Sequence, residues 1–236
     1  MGFLQRLFGN APQEGGQPVP ARTSSFEHLS EAELETHLAI DRYGAFELTE
    51  AIRPSYDLQV VPRQGFRTDV YRDEDADTEI PVLMATATRH ILFDLFLELL
   101  DPLGNVVDVV LETSHHHQQG DHADLYREHI DLPVLKSILW EYEDLLLNDG
   151  CAGIAVLNPS IPQEIQFDEH KMLIMYGDPL DEFRRILIAR DVYPDDDLRF
   201  ITEAEHVHSS SEQYYQRFEE LTMRLGMEHH CHADHA

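Results

Sequence analysis

His206 and His208 stand two residues apart near the end of an expected strand, a spacing that can chelate an ion. On extended chain, alternate side chains share a face, so both rings point one way while Glu203 and Glu205 point the other. Glu112 lies near the end of another expected strand and can join them if the two strand ends are neighbours. A second cluster closes the chain: His229, His230, Cys231, His232 and His235. Imidazoles and a thiol at this density wrap borderline divalent ions such as zinc, nickel or copper. The cluster lacks the two spaced ligand pairs of a structural zinc site, so it reads as a composition-biased tail.

Three further groups are weighed in the same terms. His115, His117, Asp121 and His122 fall in a loop after a strand, and the expectation is a solvated loop. His90, Asp94, Glu98 and Asp101 form a narrow polar stripe, expected as the wet side of a largely buried helix. Cys151 sits between a glycine and an apolar run and is expected to be a buried, inert thiol. The only lysines are Lys136, on an amphipathic helix, and Lys171, in a hairpin. Neither is expected to be a buried amine fit for Schiff-base chemistry. Trp140 is expected as a core or interface aromatic. The sequence contains no G-x-S-x-G elbow, Walker A loop, G-x-G-x-x-G fingerprint, H-E-x-x-H or C-x-x-C.

The elements that would position these residues are read from periodicity and punctuation. Ser30 and Glu33 match a capping box opening a helix to about residue 40. A helical turn or two is expected at 45–52, and strands at 57–61, 66–72 and 80–88. A helix follows at 90–101, then a Val-rich strand at 105–113, a helix at 132–148 and a strand at 153–157. A strand pair at 164–168 and 171–176, a helix from 178 to 190 and a strand at 198–203, extending towards 208, come next. Ser209 and Glu212 start a last helix, which Gly226 ends.

The class is α+β, an antiparallel or mixed sheet with packed helices. The C-terminal half reads as β-α-β-β-α-β, the ferredoxin-like order. Residues 1–26 are expected to be a flexible segment and linker, 27–226 a single domain with a subdivision point near 104, and 227–236 a disordered tail.

Over 236 residues the net charge is −28 with neutral histidines. Such an excess repels phosphate backbones, so no nucleic-acid partner is expected. No run of about 18 apolar residues predicts a transmembrane segment, and two cysteines fit a reducing, cytoplasmic compartment. Phe3, Leu4, Leu7 and Phe8 would share one helical face, and this N-terminal segment or the acidic surface is the expected contact for a protein partner. The favoured function is a non-enzymatic regulatory or interaction protein without a cofactor. The alternative is a metal-dependent, hydrolase-like enzyme using His206, His208 and nearby acids with a divalent ion such as zinc. A third idea is pH sensing by the 15 histidines.

Overall fold

In the computed structural model of the chain, residues 24–73, 78–115 and 123–227 are described. Seven strands form an antiparallel sheet in the order β4-β5-β10-β9-β8-β6-β7. They are β4 (Gly65–Asp73), β5 (Thr78–Thr86), β6 (Val106–Thr113), β7 (Ala123–Asp131), β8 (Ala152–Leu157), β9 (Glu164–Phe167) and β10 (Leu173–Tyr176). Four short strands among the described residues lie outside it: β1 (Arg42–Tyr43) with β2 (Phe46–Glu47), and β3 (Ile52–Pro54) with β11 (His206–His208).

Six α-helices accompany the strands among the described residues: α1 (Glu31–Leu38), α2 (Arg89–Leu99), α3 (Leu132–Glu141), α4 (Glu143–Asn148), α5 (Asp181–Ala189) and α6 (Glu212–Leu225). The α+β class and the antiparallel sheet with packed helices are as expected.

Alternation along the strands sets the core. Val107, Val109 and Leu111 of β6, Ile154 and Val156 of β8, Ile165 and Phe167 of β9, and Leu173 and Met175 of β10 turn to one side. There they meet the apolar faces of α2 to α6, including Leu95, Phe96, Leu139, Phe183 and Phe218. In α2 the stripe behaves as expected. His90 and Asp94 are exposed, His90 faces Glu47, Glu98 pairs with Arg190, and Asp101, in the turn after the helix, pairs with Lys136. The Ser30–Glu33 capping box is complete, and Gly226 ends α6 in the left-handed region at φ +67°.

Several expectations are corrected. The order of the sheet is not ferredoxin-like: β8, β9 and β10 run as a simple meander next to β6, with no crossover between them. The expected last strand at 198–203 is a 3-10 turn over Ile201–Glu203, and only 206–208 pairs, with β3 rather than the large sheet. Residues 45–52 carry β2 and the start of β3 instead of helical turns, and 57–61 form a loop. The 132–148 helix breaks at Tyr142 (φ −119°, ψ 19°). Of the two places expected for Trp140 the core is excluded: it is 57% exposed, its ring tilted against Phe93 at a centroid distance of 5.5 Å.

Packing on this scale makes buried and exposed positions differ sharply. Leu95→Ala, at a side chain with no exposure, should lower unfolding free energy by about 2–5 kcal/mol. Met223→Ala, at a 71% exposed position, should change it by no more than about 0.5 kcal/mol. Urea denaturation of both variants measures the contrast.

Candidate metal centre

Three histidines from two elements converge. His206 and His208 come from β11, on one side as their spacing predicts, and His170 comes from the β9–β10 turn. Ring centroids stand 5.1 Å apart for His206 and His208, 5.0 Å for His170 and His206, and 4.8 Å for His170 and His208. One ligand atom from each lies within 4.8 Å of those of the others.

Each ring is held at Nδ1 by an acceptor. His170 Nδ1 lies 3.0 Å from an Asp168 carboxylate oxygen, His206 Nδ1 2.8 Å from the Ala204 carbonyl, and His208 Nδ1 2.6 Å from the Gly150 carbonyl. Carbonyls and carboxylates only accept, so the proton sits on Nδ1 and the lone pair on Nε2. Each ring thus keeps an Nε2 lone pair free, with the outer partners at Nδ1 that metal-binding histidines ordinarily have.

Local backbone explains the placement. In the 168–171 turn Lys171 takes a left-handed φ of +61°, and its N–H donates to the Asp168 carbonyl at 3.0 Å. Asp168 also accepts from the Met172 N–H at 2.8 Å, which fixes the carboxylate under His170. β11 is strapped from behind: Ser209 N–H donates to Ala51 O and Gly150 N–H donates to Ser209 O, each at 2.8 Å. Gly150 is required here, because a Cβ would collide with the Ala51 carbonyl and sit 2.8 Å from that of Ser209.

Carboxylates gather on the His170 side of the trio. Glu112, Gly153, Asp168, Glu169 and His170 line a cavity of about 150 Å³. A Cβ at Gly153 would stand 3.4 Å from the Glu112 carboxylate, in ordinary contact with it. Burial pushes Glu112 up, and the Asp124 and Asp168 carboxylates add to the effect. Burial would also raise Asp168, but His170, the Met172 N–H and Lys171 together hold it below its ordinary value. Burial would lower His170; Asp168 and Glu169 outweigh it and raise the imidazole. His208 is lowered, first by burial and then by its histidine neighbours.

The sequence-derived candidates divide clearly. His206 and His208 are together as expected, and Glu112 approaches through His170. Glu203 and Glu205 turn away, to Arg67 and to Ser24 and Ser25 respectively. His115 is brought to Asp149 and Cys151. Asp121, His117, His122, His229, His230, Cys231, His232 and His235 lie outside the described residues, as does the segment 1–23.

Lys171 corrects its expectation: it is 5% exposed, donates to the Ala152 carbonyl at 2.9 Å, and is pushed down to about 8, chiefly by burial. Cys151 is half-buried rather than buried, and burial raises its thiol. His170, Asp168 and Asp149 were missed; the signal was Asp168-x-His170 in a hairpin turn.

Donor type is the test of fit. Three imidazoles suit zinc, copper, iron or nickel and not magnesium or calcium. Nitrogens around a tetrahedral zinc stand about 3.3 Å apart, so loading needs ring-tip movements on the order of 1 Å. Comparison of the chain with protein-family models, curated proteins and solved structures finds no match.

Asp168→Asn keeps the shape of the turn but weakens the acceptor on His170 Nδ1. Zinc affinity at this centre should fall by about 10–100-fold, as read by competition with a chromogenic chelator.

Proposed function

We propose that the chain is a divalent-metal-dependent, hydrolase-like enzyme whose ion is held by His170, His206 and His208. The observation that carries the reading is three histidines gathered within ligand distance of one another, each anchored at Nδ1 so that Nε2 keeps its lone pair. Three protein ligands are the usual complement of a catalytic zinc centre, in which a fourth position stays open. When bound, such an ion supplies Lewis-acid polarisation and an acidified water.

The chain's own residues would do the rest. Asp168, Ala204 and Gly150 orient the rings. Glu169 lines the cavity beside His170 and accepts from the Ser114 hydroxyl at 3.1 Å, so it is placed to take a proton from a water or substrate. Glu112, across the same cavity, is the candidate to return one. The negative field of Glu112, Asp168 and Glu169 favours a neutral or cationic substrate over an anion. A cavity of about 150 Å³ favours a small reacting group.

Docking of a basic protein partner on the acidic surface is a second reading, supported by the net charge of −28. It requires no metal, which separates the two.

The test uses the full chain with His229, His230, His232 and His235 changed to Ala and Cys231 to Ser. Elemental analysis after zinc loading should lose one equivalent when His206→Ala and His208→Ala are added. Hydrolysis of small uncharged chromogenic esters should vanish with those two changes and fall by about 10²–10⁴ with Glu169→Gln. An unchanged zinc content in the double variant would sink the proposal.

A further inference from the structure

We infer that a second ion site lies beside the first, with His115, Asp149 and Cys151 as a nitrogen, oxygen and sulfur tripod for zinc or a similar borderline divalent ion. It shares no ligand with the three-histidine centre and does not depend on it. The three ligand atoms lie within 4.8 Å of one another. Borderline ions accept this mixed donor set, whereas magnesium and calcium do not.

Two buried atoms point to a ligand. The Asp149 side chain has no exposure and that of His115 has 5%. His115 Nε2 and Asp149 Oδ2 stand 2.9 Å apart, yet out of line for a hydrogen bond, and neither has another hydrogen-bond partner among the described residues. Buried polar atoms in that condition are costly, and an ion bridging them removes the cost. Donors on one tetrahedral zinc, each at about 2.0–2.1 Å, stand about 3.3–3.4 Å apart, so loading spreads the 2.9 Å pair by on the order of 0.5 Å.

The surroundings are built in the same sense. Thr113 Oγ1 lies 2.6 Å from His115 Nδ1, which leaves Nε2 for the ion. Tyr215 and Phe218 flank the ring, with centroids 5.4 and 5.6 Å away. The Cys151 N–H donates to Asp149 Oδ1 at 3.2 Å and turns Oδ2 inward. The Ser210 hydroxyl reaches the Cys151 sulfur and can donate to a thiolate. Loading releases the thiol proton to solvent, leaving sulfur as the ligand. Gly150, between Asp149 and Cys151, gives its carbonyl to His208, so the two sites share one turn.

Cobalt(II) titration of the full chain carrying Cys231→Ser tests the site, because only Cys151 can then supply sulfur. A near-ultraviolet thiolate-to-cobalt charge-transfer band is expected. It should persist when His206→Ala and His208→Ala are added, which separates this site from the three-histidine centre. Cys151→Ser should abolish it, and Asp149→Asn should weaken cobalt binding at the band at least tenfold, with unchanged far-ultraviolet dichroism as the control for folding. If the Cys231→Ser protein binds cobalt without such a band, the site does not exist. A band whose titration is indifferent to both Asp149→Asn and His115→Ala would equally overturn the tripod.

Discussion

Two of the three rings at the candidate centre depend on the backbone crossing at Gly150. Its N–H is held by Ser209, its carbonyl holds His208, and Ser209 is itself held by Ala51. Three chain segments, 51–52, 149–151 and 206–209, are thereby fixed at hydrogen-bond distance with no room for a side chain between them. β11 is only three residues long and belongs to a two-stranded pairing. Such a strand is not stable alone, so this crossing, with the β3 pairing, is what holds His206 and His208 near the end of the large sheet. His170 arrives independently, from a turn whose strands are secured inside that sheet.

The charge around the centre is a consequence of the same geometry. Burial and a dense set of carboxylates oppose each other at His170 and Lys171 and act together at Glu112. Where a hydrogen-bond donor or a cation faces the carboxylate, as at Asp168, the acid is held ionised. At Glu112 burial dominates, reinforced by neighbouring acids. Lys171 places one ammonium within reach of Asp149, Asp168 and Glu169, too little to neutralise them. A pocket with that imbalance attracts cations, whether an ion or the positive end of a substrate.

Much of the fold was legible in the sequence because local signals agreed with the tertiary outcome. The capping box at Ser30, the glycine stop at Gly226, and the apolar alternation of β6, β8 and β10 act over a few residues. β7 was not legible: it is an edge strand whose Arg127, Glu128 and His129 face solvent, and charged edges mask the period that marks a strand. The 198–203 segment misled because its apolar residues pack in a turn, Leu198 and Phe200 beside Met172 and Ile174 and Ile201 beside Ile52, instead of pairing. The His206-x-His208 half of the site was visible from spacing alone. His170 was not, since it meets the pair only through the long-range approach of the β9–β10 turn to β11, which no local pattern encodes. Lys171 failed for a related reason: a hairpin turn is normally wet, and this one is capped by its neighbours.

The central claim is that three imidazole nitrogens bind one ion. X-ray absorption fine structure on zinc-loaded protein measures it directly, using the full chain with the tail ligands replaced and Cys151→Ser added. The account predicts a first shell containing three nitrogens at about 2.0–2.1 Å with the outer-shell pattern of imidazole rings, lost when His170→Ala is introduced. A shell of oxygen donors without imidazole scattering, or one indifferent to His170→Ala, would contradict it.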